Sequence, residues 1–175
     1  QPTENSMRAI RSCFTLFAIV CVSGGAHAGT PQSLSAKIDG AAFAGDDDTI
    51  LLVPLPNTFS LMASTAGAAA YPPPKTPIDR LSITCTMYTP GQSFKLTSKD
   101  FAAAACNATF SKAARAPGEK ATEYALDKDS TATLFEITAA HDKVIEGRFA
   151  FRLKSERGET LTISDGHFVA EDRQL

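Results

Sequence analysis

Residues 146–168, EGRFAFRLKSERGETLTISDGHF, alternate apolar and charged positions with a period of two. Gly147, Phe149, Phe151 and Leu153 share one parity; Arg148, Arg152 and Lys154 take the other. Successive side chains of a strand point to opposite faces, so the pattern predicts a strand with one dry and one wet face. Leu161 and Ile163 resume it after Ser155-Glu156-Arg157-Gly158-Glu159, a short connection whose glycine tolerates φ > 0 and closes a hairpin. With Ser155 opposite Glu159, Leu153 faces Leu161 and Phe151 faces Ile163. Uncorrected, this register sets Phe149 against Asp165 on the buried side. A bulge at Asp165-Gly166 adds one residue and restores the parity. Phe168 then falls opposite Gly147, whose missing side chain leaves room for the ring, and His167 points outward near Arg148.

The same period recurs upstream. Leu81, Ile83, Cys85 and Met87 alternate with Ser82, Thr84, Thr86 and Tyr88, and Thr89-Pro90-Gly91 ends that strand as a turn. Phe94 and Leu96 are expected to continue as its partner. Cys106, Ala108 and Phe110 share one parity, which turns Cys106 inward. Residues 50–53, 58–63 and 133–138 read as further strands, and 36–43 as a weaker one with a turn or bulge at Asp39-Gly40. Residues 97–114, TSKDFAAAACNATFSKAA, are ambiguous. Alanine favours helix and Thr97 or Ser98 suits its cap, so a helical turn over 99–105 followed by a strand is expected; one continuous helix is the alternative. Residues 66–77, AGAAAYPPPKTP, form a proline-rich extended loop, and Pro117-Gly118 marks a surface connection over 112–120. Short strands joined by such turns predict an all-β, mainly antiparallel fold. It is a single β-sandwich or barrel-like domain with at most a short helix.

The first residues read differently. Met7 precedes Arg8 and Arg11, then comes an apolar run over 13–22, then Ala26-His27-Ala28. This is the plan of a secretory signal peptide over 7–28 with cleavage after Ala28, and the run is too short for a membrane span. Residues 1–6 are an extension ahead of it, and 29–175 a single domain, periplasmic or secreted and not inserted in a membrane. A lipoprotein is the competing reading, but Cys21 follows Ile19-Val20 rather than a small residue. Export changes the use of the four cysteines: Cys13 and Cys21 leave with the leader. Cys85 and Cys106 remain, an even pair in an oxidising compartment, on inward positions of different strands. A disulfide between them is expected.

The run G-x-F-x-F-x-L over 147–153, followed by G-E-x-L-x-I-x-D-G-x-F over 158–168, resembles the C-terminal end of certain exported bacterial β-proteins. They are grouped as domains of unknown function, common among Bacteroidetes lipoproteins. IDGAAFAG (38–45) resembles their opening, and FEIT (135–138) the strand before their final hairpin. The resemblance implies an exported β-sandwich-like domain and carries no activity, cofactor or catalytic residue with it.

Candidate chemistry is sparse. With 17 Lys+Arg against 19 Asp+Glu the net charge is −2, and no basic cluster attracts nucleic acid. Tryptophan is absent, which argues against a stacking platform for sugars or bases. No Gly-x-Ser-x-Gly elbow accompanies a histidine; His141-Asp142 reads as a solvated turn and a His167–Asp165 pair as a by-product of the hairpin. Asp46-Asp47-Asp48 and Asp127-x-Asp129 lack the full oxygen set that calcium requires and read as turn residues, so no metal or cofactor is expected. The best contact surface is Tyr71 with Pro72, Pro73 and Pro74, joined by Arg80, because a proline-rich loop is rigid and Tyr is favoured at interfaces. The expected function is non-enzymatic binding of a protein or cell-envelope component. The alternatives are a periplasmic inhibitor or immunity protein against a hydrolase such as lysozyme, and a hydrolase with an unfamiliar site.

Overall fold

The computed structural model describes residues 31–72, 74–86, 88–89 and 91–173. The segment expected to be a signal peptide, with its expected cleavage site and Cys21, lies outside the described residues, as do Pro73, Met87 and Pro90. In chain order the elements are β1 (Ser33–Ile38), β2 (Ala41–Ala44), a 3-10 turn (Asp47–Thr49), β3 (Leu51–Leu55), β4 (Thr58–Ser64) and β5 (Arg80–Cys85). There follow β6 (Phe94–Thr97), α1 (Ser98–Ala103), β7 (Cys106–Lys112), β8 (Thr122–Leu126), β9 (Leu134–His141), β10 (Val144–Ser155) and β11 (Thr160–Glu171).

The hairpin β10–β11 has the register that its alternation predicts. Leu153 pairs with Leu161, Phe151 with Ile163, and Gly147 with Phe168. The turn closes with the Ser155 N–H donating to the Glu159 carbonyl at 2.9 Å. The ladder shifts between Phe149 and Phe151, and Asp165 sits there at φ 51°. That is the bulge, and it makes two glycine–phenylalanine pairs, Gly147 with Phe168 and Phe149 with Gly166. Each ring lies over the glycine opposite. A Cβ on Gly147 would stand 2.5 Å from two Phe168 ring carbons, and one on Gly166 would stand 2.4 Å from the Phe149 ring.

Asp39-Gly40 is a turn, with φ of 48° and 84°, so the segment 36–43 is two strands rather than one. β1 lies between β2 and β11. The helix is short, as expected: Thr97 precedes it, and the Asp100 carboxylate accepts from the Thr97 hydroxyl at 2.7 Å. Only Phe101 of α1 is buried.

The sheet runs β2-β1-β11-β10-β8-β7-β5-β4-β3, with β9 also on β10 and β6 on β9. Here the structure corrects one expectation. β6 carries Phe94 and Leu96 but pairs with β9, not β5. Both edges of β5 are taken, by β4 and by β7, so β6 has no place there.

The pairing of β6 exposes an unusual arrangement. β8 and β9 line up on the same edge of β10, β8 opposite Leu153–Ser155 and β9 opposite Val144–Ala150. They act as one long strand interrupted by residues 127–133. β6 and β7 form the next strand out, likewise interrupted, here by α1. The two interruptions fall side by side, and the Thr133 N–H donates to the Ser98 hydroxyl oxygen across them at 3.4 Å.

The ladder is continuous, so the domain is one curled sheet, a half-barrel, and not two stacked sheets. The curl brings distant strands together: Phe59 of β4 lies 6.3 Å from Phe168 of β11, and Phe43 of β2 lies 5.8 Å from Phe110 of β7. Inward positions of nearly every strand fill the concave side, with Phe59, Phe101, Phe110, Phe135, Phe149, Phe151 and Phe168 all fully buried. Gly45 bridges to Thr65, which ties the end of β2 to the end of β4 and narrows the open side.

Candidate functional site

Cys85 and Cys106 face each other across β5 and β7 and form the expected disulfide, with Cα atoms 3.9 Å apart. It closes a segment of 21 residues that contains β6 and α1. It therefore anchors the base of the interrupted strand to the continuous part of the sheet.

The large hydrophobic side chains exposed among the described residues are Leu51, Leu55, Met62 and Tyr71, at 43%, 50%, 39% and 97%. All four belong to one stretch, the β3–β4 hairpin and the loop that follows. Alternation places them outward: Leu52, Phe59, Leu61 and Ala63 of the same hairpin are buried. Leu51 pairs with Met62, and Met62 with Ser82 of β5, so the apolar patch continues onto a polar strand. β3 is the end strand of the sheet. Pro54, with no N–H to offer, sits opposite Phe59 on it and blunts that edge against strand addition.

Arg80 opens β5 and is exposed. It lines a shallow groove of ≈330 Å³ on the outer face with Leu51, Met62, Ser111 and Glu123. Tyr71 stands on the proline-rich loop and is not part of that groove. The predicted contact residues are thus divided: Arg80 joins the apolar hairpin, while Tyr71 and Pro72 project beyond it. Leu51, Leu55 and Met62 were not singled out from the sequence. The signal was there, since 51–55 places leucines on both parities of an end strand, and one parity must face water.

The remaining candidates have structural work. Asp46 accepts from the Gly67 N–H at 3.0 Å, which fastens the loop after β4. Asp47 accepts from the Gln32 N–H at 3.2 Å and faces Arg173 at 3.6 Å. Asp165 pairs with Lys37 at 2.8 Å rather than with His167, and the Lys37 pKa is raised by that hydrogen bond and charge. His167 lies opposite Arg148 on the outer face, and His141 ends β9 at the turn into β10. Among the described residues no group of three or more His, Cys, Asp or Glu side chains is arranged to hold a metal ion. Nor is any described helix long and apolar enough to cross a membrane.

A concave site that the sequence reading missed lies between the two strand interruptions. It is a cleft of ≈550 Å³, walled by residues 125–128, Ser130 and Thr133 on one side and by Ser98, Ala102, Ala105 and Asn107 on the other. Its base is beside Cys106. Small, hydroxylated and charged residues with no motif spacing make up most of the lining, so nothing in the one-dimensional pattern marks it. No family model matches this chain, and no curated protein or solved structure does either.

Proposed function

We propose that this chain is an exported, non-enzymatic binding domain that engages a protein through the outer face of the β3–β4 hairpin, Arg80 and the Tyr71 loop. The observation that carries the reading is the gathering of Leu51, Leu55, Met62 and Tyr71 in one stretch, beside an arginine. Apolar side chains left in water in one patch, rimmed by polar groups, mark interaction surfaces. Tyr, Met and Arg are the types enriched in interface centres. The disulfide and the signal-like first residues support placement outside the cytoplasm. A protein partner is favoured over a bilayer because the patch is small and neighbours Glu123 as well as Arg80.

The test is a pull-down from periplasmic extract with the oxidised protein, compared with a Tyr71→Ala, Arg80→Ala, Met62→Ser variant. The variant loses the wild-type partners while its unfolding midpoint stays the same. Retention of every partner by the variant refutes the surface. A direct assay against several lysozyme types checks whether the partner is a hydrolase under inhibition.

A further inference from the structure

We infer that the cleft between the two strand interruptions is a second binding site, for a small ligand bearing a carboxylate. Several polar groups of the cleft are already engaged within the chain. Ser98 accepts from the Thr133 N–H at 3.4 Å, and Ser130 accepts from the Ala132 N–H at 3.1 Å. Asn107 accepts through its side-chain oxygen from the Ala108 N–H at 2.9 Å. Asp127 accepts from the Asp129 N–H at 3.3 Å and faces Arg152 at 3.6 Å. In each case the backbone or Arg152 takes an acceptor.

What is left over is a set of donors. Two serine hydroxyl protons and the Asn107 amide group are free to donate. Lys128 makes no ion pair among the described residues, and it lines the cleft. Thr133, 5% exposed, lines the cleft as well and carries a further hydroxyl. Apart from the Asp127 carboxylate, which Arg152 faces, the spare side-chain groups donate, with one ammonium among them, and such a set fits an acceptor-rich anion. Carboxylate matches that description and forms charge-assisted bonds with such donors.

Size and lining narrow the ligand further. A volume of ≈550 Å³ lies within the usual range for small-molecule sites and exceeds what a lone acetate fills. Ala102, Ala105 and Ala125 line it with methyl groups, so small apolar substituents fit beside the carboxylate. A free short-chain acid and the C-terminus of a small peptide share this chemistry. The cleft also has a structural origin: where two neighbouring strands break at one level, ladder pairing stops and the chain folds away on both sides.

The experiment is an amide-resolved NMR titration of the oxidised protein with acetate, trialanine and trialanine amide. Trialanine is expected to shift the amides of Asn107, Ala125, Lys128 and Thr133, with at least about tenfold weaker binding of its amide form. Lys128→Met weakens trialanine about tenfold, and Thr133→Val weakens it less; Met62→Ser leaves it unchanged, which separates this site from the hairpin face. Acetate binding as tightly as trialanine assigns a free small acid; tighter trialanine assigns a peptide terminus. The inference is overturned if neither acid perturbs the cleft by concentrations on the order of 10 mM. It is also overturned if the amide form binds as well as the acid, or if Lys128→Met, whose exposed side chain leaves folding untouched, binds like wild type.

Discussion

Gly147→Ala tests the closest approach in the fold. The added Cβ would stand 2.3 Å from the Glu136 carbonyl oxygen on β9 and 2.5 Å from Phe168 Cε1 and Cζ on β11. Ordinary contacts between heavy atoms are about 3.5–4 Å, so the obstacles must retreat by roughly 1 Å on two sides at once. The ring can turn, but the carbonyl belongs to a ladder whose register already shifts between Glu146 and Gly147. Overpacking of this kind costs about 1–3 kcal/mol, and the backbone obstacle puts the expected loss near 3 kcal/mol. With a urea dependence of about 2 kcal/mol/M, the unfolding midpoint falls by roughly 1.5 M. Gly40→Ala is the control. Gly40 has φ 84° but nothing within 4 Å of its Cβ position, so only backbone strain of about 1 kcal/mol is expected there. Adding Phe168→Leu to Gly147→Ala recovers part of the loss, because one of the two obstacles shrinks. A Gly147→Ala midpoint within about 0.5 kcal/mol of wild type refutes the argument that this glycine is required by strand approach.

Reduction of the Cys85–Cys106 bridge, which spans 21 residues, lowers stability by about 3 kcal/mol in denaturant melts; alkylation without reductant labels neither cysteine. The hydrogen bond from the Thr97 hydroxyl, the Thr97 N–H and the nearby Lys99 charge hold the Asp100 carboxyl below its ordinary range. The group therefore stabilises the native state above the unfolded value, and that contribution disappears as pH falls through the folded one. Carboxyl NMR titration finds an acid-shifted midpoint that moves up in Thr97→Val, and an unmoved midpoint rejects the cap. Burial raises the phenol pKa of Tyr88 and of Tyr124 above 10.0, the latter also through the Glu159 charge. Their contribution is complete below about pH 10 and is lost as pH rises through the folded values, so alkaline unfolding and late phenolate absorbance coincide. Leu51→Ser with Met62→Ser leaves thermal stability within a few tenths of a kcal/mol, since both side chains are exposed; a large drop reassigns them to the core.

The last hairpin was legible because period-two burial, two glycines and a parity error together admit one register. The disulfide was legible because two inward cysteines remained in the expected oxidising setting, and the short helix because Thr97 and the alanines agree on it. β6 was misassigned for a physical reason. Adjacent strands in sequence usually pair, but β5 holds β4 and β7, and the true partner β9 lies beyond α1, β7 and β8. Nothing local to Phe94–Thr97 records that choice. The cleft was invisible for the same reason, since it exists only because β9 and β8 share one edge of β10. Of the contact residues, Tyr71 was legible as an aromatic in a proline loop. Leu51, Leu55 and Met62 were read as strand material, because an end strand and a central strand carry the same alternation until the sheet order is known.

The strand order also sets a timetable for the polypeptide. The first strand, β1, is neighbour to the last, β11, and β11 in turn borders β10. A chain emerging N-terminus first holds β1 and β2 with one flank bare until residues 160–171 arrive. The sheet thus cannot close before β11 has emerged.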